Sequence, residues 1–484
     1  MKRIFAISIF VMTALLQACD DFLSKQPDNR TEINTAEKIS ELLVSAYPEA
    51  NYIPFCEAMT DNVSPHLGGL SDNTNTDTYF WRDPTQTEQD SPEFYWAACY
   101  TAIASANHAL EAIEKSERPE QFSGQKGEAL VARAYSHFML VSLFAKFYDA
   151  ETADTDPGIP YVTEPEKEAL KKYERHTVQY VYDMIEKDLE EGIPLIKDEL
   201  YTVPSYHFTK AAANAFAVRY YLFKRNYSKV VQYADDVYPD DNFATRLREW
   251  NTTYQGLPFD ELQALYTKSS EESNLLLCET SSLWARYYYR LRYSTGLDEL
   301  ESARSIQEIT NGNFAYTVYS VSTLNTYFVV KFREHFVRDD ISSNTGLPYT
   351  IVPLFTAEEV LLSRAEAHAF LGNNTKALAD LNTFISKRVL DYDPAVNNLT
   401  ASRVNNFYNT TNTTGAIIQT ALLFRRVEFL HEGLWWFDIL RYQIPVSHLT
   451  DTGEIITLNE DDPRRVLQIP REAIELGGLE PNPR

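Results

Sequence analysis

The sequence predicts a mostly α fold, in which paired helices form a scaffold interrupted by an irregular, loop-rich subdomain. Apolar residues recur at helical spacing along most of the chain, while a stretch of about 240–353, rich in Tyr and holding Trp250 and Trp284, loses that period. The composition permits a large core: 44% of the 484 residues are apolar and 23% charged, far from the signature of disorder. A formal net charge of −25 argues against nucleic acid as a partner, because phosphate backbones reward basic surfaces. Aromatic residues reach 13%, more than a core needs and suited to flat, partly exposed binding surfaces.

The helices follow in order. One starts near Thr35, with Ile39, Leu42, Leu43, Ala46 and Tyr47 on one face. The next, over 92–116, opens with Ser91 as its cap and Pro92 at its first position, and carries Trp96, Cys99, Tyr100, Ile103, Asn107 and Leu110. A third covers 124–147 and its partner 177–195, with an acidic, Pro-containing loop between them. In that loop Asp149, Glu151, Asp154 and Asp156 lack the spacing of a calcium loop and read as solvated. Segments 211–237 and 357–389 share one plan of helix, short turn and helix, and resemble tetratricopeptide-like helix pairs. A last helix is expected over 415–442, followed by a mostly extended tail.

The amino terminus reads as an export signal. Lys2 and Arg3 precede an apolar run over 4–16, shorter than the roughly 20 residues a bilayer span needs. Leu16-Gln17-Ala18-Cys19 resembles a bacterial lipobox, which makes Cys19 the acylated first residue of the mature chain. The expected organisation is therefore a lipoprotein signal peptide (1–18), a lipidated tether (19–35) and a single domain (36–484). Within that domain the scaffold covers about 36–239 and 354–442, and the loop-rich ligand-binding subdomain about 240–353. Cys56, Cys99 and Cys278 are odd in number and lack CxxC spacing, so they read as buried thiols.

Cys19-Asp20-Asp21-Phe22-Leu23, the Trp96, Tyr100, Ile103 and Asn107 face, the run from Arg425 to Asp438, Ile469-Pro470 and the closing Pro481-Asn482-Pro483 together resemble the SusD/RagB family. The resemblance covers nearly the whole chain. It implies a lipid-anchored protein on the cell surface of a Bacteroidetes-type outer membrane, carrying a palmitate-type acyl chain and four tetratricopeptide-like helix pairs. Its implied partners are a glycan, or in some members a peptide, and a SusC-type TonB-dependent transporter; no enzyme activity and no cofactor are implied.

The residues make an independent case for sugar binding, since sugar rings lie flat on aromatic faces and their hydroxyls need polar forks. Two segments combine both. The first runs from Asp72 to Asp83, and its candidates are Asp72, Asn73, Tyr79, Trp81 and Arg82, with Trp81 the foremost exposed ring. The second runs from Trp284 to Tyr293, with Trp284, Tyr287, Tyr289 and Arg290 as candidates; a period-two reading sets Tyr287, Tyr289, Leu291 and Tyr293 on one face.

Two other classes compete with this reading. Glu428 and Glu432 lie four apart on an expected helix, a spacing that invites comparison with glycoside hydrolysis. The i, i+3 pairs Arg425–Glu428 and Asp438–Arg441 read instead as braces of a packed helix. No catalytic residue is assigned, and the nine His show no metal-ligand spacing. A pure docking scaffold is the remaining alternative.

Overall fold

Short-range signals place the helices, and each apolar stripe is then covered by a neighbour. The structure, a computed structural model, describes residues 33–167, 171–341 and 343–484; the signal segment, Cys19 and most of the tether lie outside them. Helix α1 (Ala36–Leu43) starts at Thr35, whose hydroxyl accepts the Lys38 N–H. Helix α2 (Pro92–Glu114) starts at Ser91, whose Oγ accepts the Phe94 N–H at 3.2 Å. Helix α3 (Ser123–Phe144) is buried along nearly its whole length between α2 and α4 (Val178–Gly192). Gly127 and Gly192 set the approach of α3 and α4: a Cβ on Gly127 would come within 2.8 Å of the Gly192 carbonyl oxygen. Arg133 then crosses to Asp188 with two bonds of 2.7 Å.

The two repeated segments form as α5 (Lys210–Phe223) with α6 (Tyr227–Val237), and α7 (Ala357–Phe370) with α8 (Asn374–Ile385). Arg219 of α5 grips Glu359 of α7 at 2.6 and 2.7 Å, both side chains buried. The architecture is mostly helical and tetratricopeptide-like.

The last helix departs from expectation because it is two. Helix α9 (Thr413–Glu428) stops, and α10 (Leu434–Tyr442) begins after His431 and Gly433 adopt φ of 72° and 68°. Glu57, 374 residues before His431, causes the break: its buried carboxylate accepts the His431 N–H at 3.1 Å and the Gly433 N–H at 3.0 Å. Gly433 is needed there, since a Cβ would lie 3.0 Å from the Cys56 Cβ in a backbone conformation already unfavourable to side chains.

Burial raises Glu57 to about 7, outweighing the stabilising His431, Gly433 and Asn62 hydrogen bonds. The folded chain thus holds this proton where the unfolded chain releases it. The resulting stability is complete below the ordinary carboxyl range and lost as pH rises through about 7. Relative to Glu57→Gln, the native chain is expected to gain about 1.4 kcal/mol for each pH unit below 7, down to about pH 5. Urea unfolding at pH 5, 6, 7 and 8 measures this; a pH-independent difference between the two proteins refutes it.

The insertion is more regular than its sequence. It holds β1 (Asn274–Ser281), β2 (Glu334–Arg338) and β3 (Gly346–Thr356) in one antiparallel sheet with β3 central, pairing Thr350 to both Thr280 and Glu334. Two eight-residue helices, Phe259–Tyr266 and Leu297–Arg304, are too short to show a sustained period. Thr356 ends β3 and caps α7, so sheet and scaffold are continuous.

The tail is likewise structured. It forms a hairpin of Val446–Leu449 with Ile455–Leu458 and a short helix, Arg471–Glu475. Asn482 then ties it to α3 by donating to the Phe144 carbonyl at 2.9 Å. Cys56, Cys99 and Cys278 are free and buried, and burial pushes each thiol up. No described helix is long and apolar enough to cross a membrane.

Candidate functional site

Backbone bonds lace the second candidate segment to the stretch just before the first, some 200 residues earlier in sequence. Leu70 N–H donates to the Arg290 carbonyl at 2.7 Å and Arg292 N–H to the Leu70 carbonyl at 2.9 Å, while Ser64 and Pro65 pair with Ser294 and Tyr293. Asn75 completes the lacing from a buried position: its amide donates to the Tyr293 carbonyl at 3.0 Å and accepts the Tyr293 N–H at 3.1 Å. A fixed carboxamide answering both groups of one residue acts as an extra strand position.

Between the laced segments lies a hollow of about 90 Å³, walled by Leu70, Asp72, Asn75, Asp90, Trp284 and Tyr287 among others. Asp72 is exposed and caps the helix Asn73–Tyr79, its Oδ1 accepting the Asn75 N–H at 2.7 Å. Trp284 contributes only an edge, being 4% exposed and anchored by its Nε1 to the His431 carbonyl at 3.0 Å. Tyr287 is half-buried on the short helix Trp284–Tyr287. Asp90, at φ 68°, accepts the Leu283 N–H on Oδ2 at 2.8 Å. Burial pushes Asp90 up to about 7 against its Ser282 and Leu283 hydrogen bonds, and the Asp72 carboxylate adds to the rise. Tyr289, which does not line the hollow, is half-buried and stacks on Phe328 at 4.2 Å, and Tyr319, 36% exposed, packs against the same Phe328 at 6.2 Å. The arrangement joins apolar ring surface to carboxylate acceptors, which suits a hydroxyl-bearing ring.

Residues 143–473 match the SusD/RagB profile, described as the SusD family. The chain belongs to the SusD family. Residues 21–222 also match a related SusD-like profile described as starch-binding, associating with outer membrane. Among solved structures, a SusD superfamily protein from Bacteroides fragilis is similar at 20% identity, covering 93% of this chain and 99% of its own, with a TM-score of 0.68. A SusD-like carbohydrate binding protein from Bacteroides vulgatus has 16% identity, coverage of 92% and 97%, and a TM-score of 0.66. A laminarin binding SusD-like protein has 18% identity, coverage of 93% and 99%, and a TM-score of 0.61. These likenesses show the same fold. No curated protein matches the sequence. SusD family proteins are carbohydrate-binding and outer-membrane associated.

Within this SusD-family fold the candidates separate. Asp72, Trp284 and Tyr287 line the hollow; Tyr289 and Arg290 do not, Arg290 being exposed 5.2 Å from the Tyr289 ring. Asn73 is exposed at the first position of its helix, and Arg82 is exposed over Phe80 at 4.6 Å; neither lines the hollow. Tyr79 and Trp81 are core. Trp81 is 3% exposed, so the expected exposed ring is corrected: a φ of 50° turns it under the tail hairpin, where it stacks on His448 at 4.3 Å. Tyr79 stacks on the other face of His448 at 4.1 Å and on Tyr293 at 3.9 Å.

The period-two reading of the second segment is also corrected. Trp284, Tyr288 and Leu291 are buried, a spacing of i, i+4, i+7, so its first part is helical. Sequence reasoning missed Leu70 and Asp90. Leu70 carries no polar signal. Asp90 had one clue, its place immediately before the Ser91-Pro92 helix start.

The hydrolase comparison loses its geometry. Because α9 ends at Glu428, Glu432 lies off that helix. Glu428 is held by Arg388 at 2.8 Å and Glu432 by Lys331 at 2.5 Å, all four side chains being buried. Arg425 pairs with Asp438 at 2.8 Å rather than Glu428, and the Asp438–Arg441 brace forms at 2.7 Å. In the acidic loop, Asp156 is taken by Lys146 at 2.9 Å.

Proposed function

We propose that this chain is a cell-surface glycan-binding lipoprotein that captures oligo- or polysaccharide and delivers it to a SusC-type TonB-dependent outer-membrane transporter. The observation that carries the reading is the convergence of Asp72 and Asn75 from the first segment with Trp284 and the half-buried Tyr287 of the second on one hollow. A hollow of about 90 Å³ is smaller than a typical small-molecule site of about 300 Å³ or more, so a sugar chain would lie across the Tyr287 ring rather than enter a deep pocket. The laminarin binding relative supports sugar as the ligand class. The lipobox at Cys19 supports anchoring by acyl chains, each CH₂ contributing about 0.8 kcal/mol.

A glycan array followed by calorimetric titration of the mature chain tests capture: saturable binding is expected, and absence of affinity for every glycan refutes it. Cys19→Ser tests the anchor. The variant is expected to leave the outer-membrane fraction for the soluble one, and retention in the membrane counts against lipidation.

A further inference from the structure

We propose that a second sugar-binding site lies where the scaffold helices end, in a cleft of about 430 Å³ that takes a neutral, hydroxyl-bearing sugar unit. This rests on the glycan-capture reading and adds a site that shares no lining residue with the hollow. Four helices stop around the cleft: α3 at Phe144, α5 at Phe223, α7 at Phe370 and α10 at Tyr442. Its volume falls within the usual range of small-molecule sites, about 300–1,000 Å³, which the hollow does not reach.

The wall meets both demands of a sugar. Ring surface comes from Phe147, Tyr227, Phe370 and Tyr442, none of them fully buried. Tyr227 and Phe370 stack at 4.1 Å with their planes 5° apart, and Phe370 stays 40% exposed, so ring surface is left over for sugar C–H groups. Polar forks come from Arg225, Asp149 and Gln443. Arg225 is exposed, spends one N–H on the Arg441 carbonyl at 3.2 Å and pairs with no carboxylate among the described residues. Asp149 uses Oδ1 for the Glu151 N–H at 2.9 Å, and its Oδ2 has no partner among the described residues. Gln443 is exposed and brings an amide that both donates and accepts. Arg225 and Gln443 hold φ of 57° and 52°, a conformation uncommon for such side chains that gathers at ligand sites. Arg441 lends no free charge, being spent on Glu366 and Asp438 at 2.7 Å each. One free cation and one carboxylate remain, a balance that favours an uncharged ligand with hydroxyls for both.

Calorimetric titration with short neutral gluco-, manno- and galacto-oligosaccharides tests the cleft, using the mature chain, Arg225→Gly and Phe370→Ala, each variant alone and on the Tyr287→Ala background. Glycine adopts the φ of 57° freely and Phe370 is partly solvated, so both variants are expected to fold, which a thermal melt verifies. The native chain is expected to bind two sugars, and each variant to weaken the binding that survives Tyr287→Ala by about tenfold. Folded variants that titrate as their parents do overturn the inference while leaving glycan capture standing. Failure of the native chain to bind any sugar overturns glycan capture, and the inference with it.

Discussion

Arg388→Met is expected to destabilise the protein by about 3–5 kcal/mol, measured by urea unfolding at pH 7. Arg388 is fully buried and joins two carboxylates: it donates twice to Glu428 at 2.8 Å and once to Glu358 at 3.1 Å. Glu358 is also gripped by Arg248, through its backbone N–H at 2.7 Å and its guanidinium at 3.0 Å. Burial alone would raise the Glu358 pKa, yet the Arg248 and Arg388 charges overcome it and hold the group at about 2. Removing Arg388 leaves Glu428 as a buried carboxylate supported only by the Tyr316 hydroxyl at 2.5 Å. The large loss reflects that stranded charge rather than the worth of the pair. Arg388→Met/Glu428→Gln is therefore expected to recover a substantial part of the stability. A single-variant loss below about 1 kcal/mol, the range of an exposed ion pair, contradicts this reading of the core.

The second large effect is on binding. Tyr287→Ala is expected to weaken glycan affinity by about 10- to 30-fold, equivalent to about 1.4–2 kcal/mol, with little change in melting temperature. Tyr287 is the half-exposed ring on the wall of the hollow, so truncation removes a face for sugar C–H groups without opening a core cavity. Titration calorimetry with the best array glycan measures it. Unchanged affinity in a folded variant moves the site away from this hollow.

Helix starts were legible in the sequence. Thr35, Ser91, Thr177 and Thr209 each cap a helix through a side-chain oxygen and a backbone N–H three residues on, and the apolar stripes behind them are the ones buried. The repeated pairs were legible for the same reason: cap, turn and period are written within a few residues.

Tertiary structure alone decided the rest. Tyr79, Trp81 and Tyr287 look alike as aromatic residues, but His448 of the tail hairpin buries the first two while Tyr287 is left half-buried on the wall of the hollow. Glu57 breaks a helix whose local period is unbroken, and Asp90 joins the hollow through a bond to Leu283. The sequence by itself determined where the scaffold helices run and which segments bring aromatic and polar side chains together. Which rings meet solvent depended on hydrogen bonds and stacks between residues hundreds of positions apart, whose energies exist only once the chain has closed on itself.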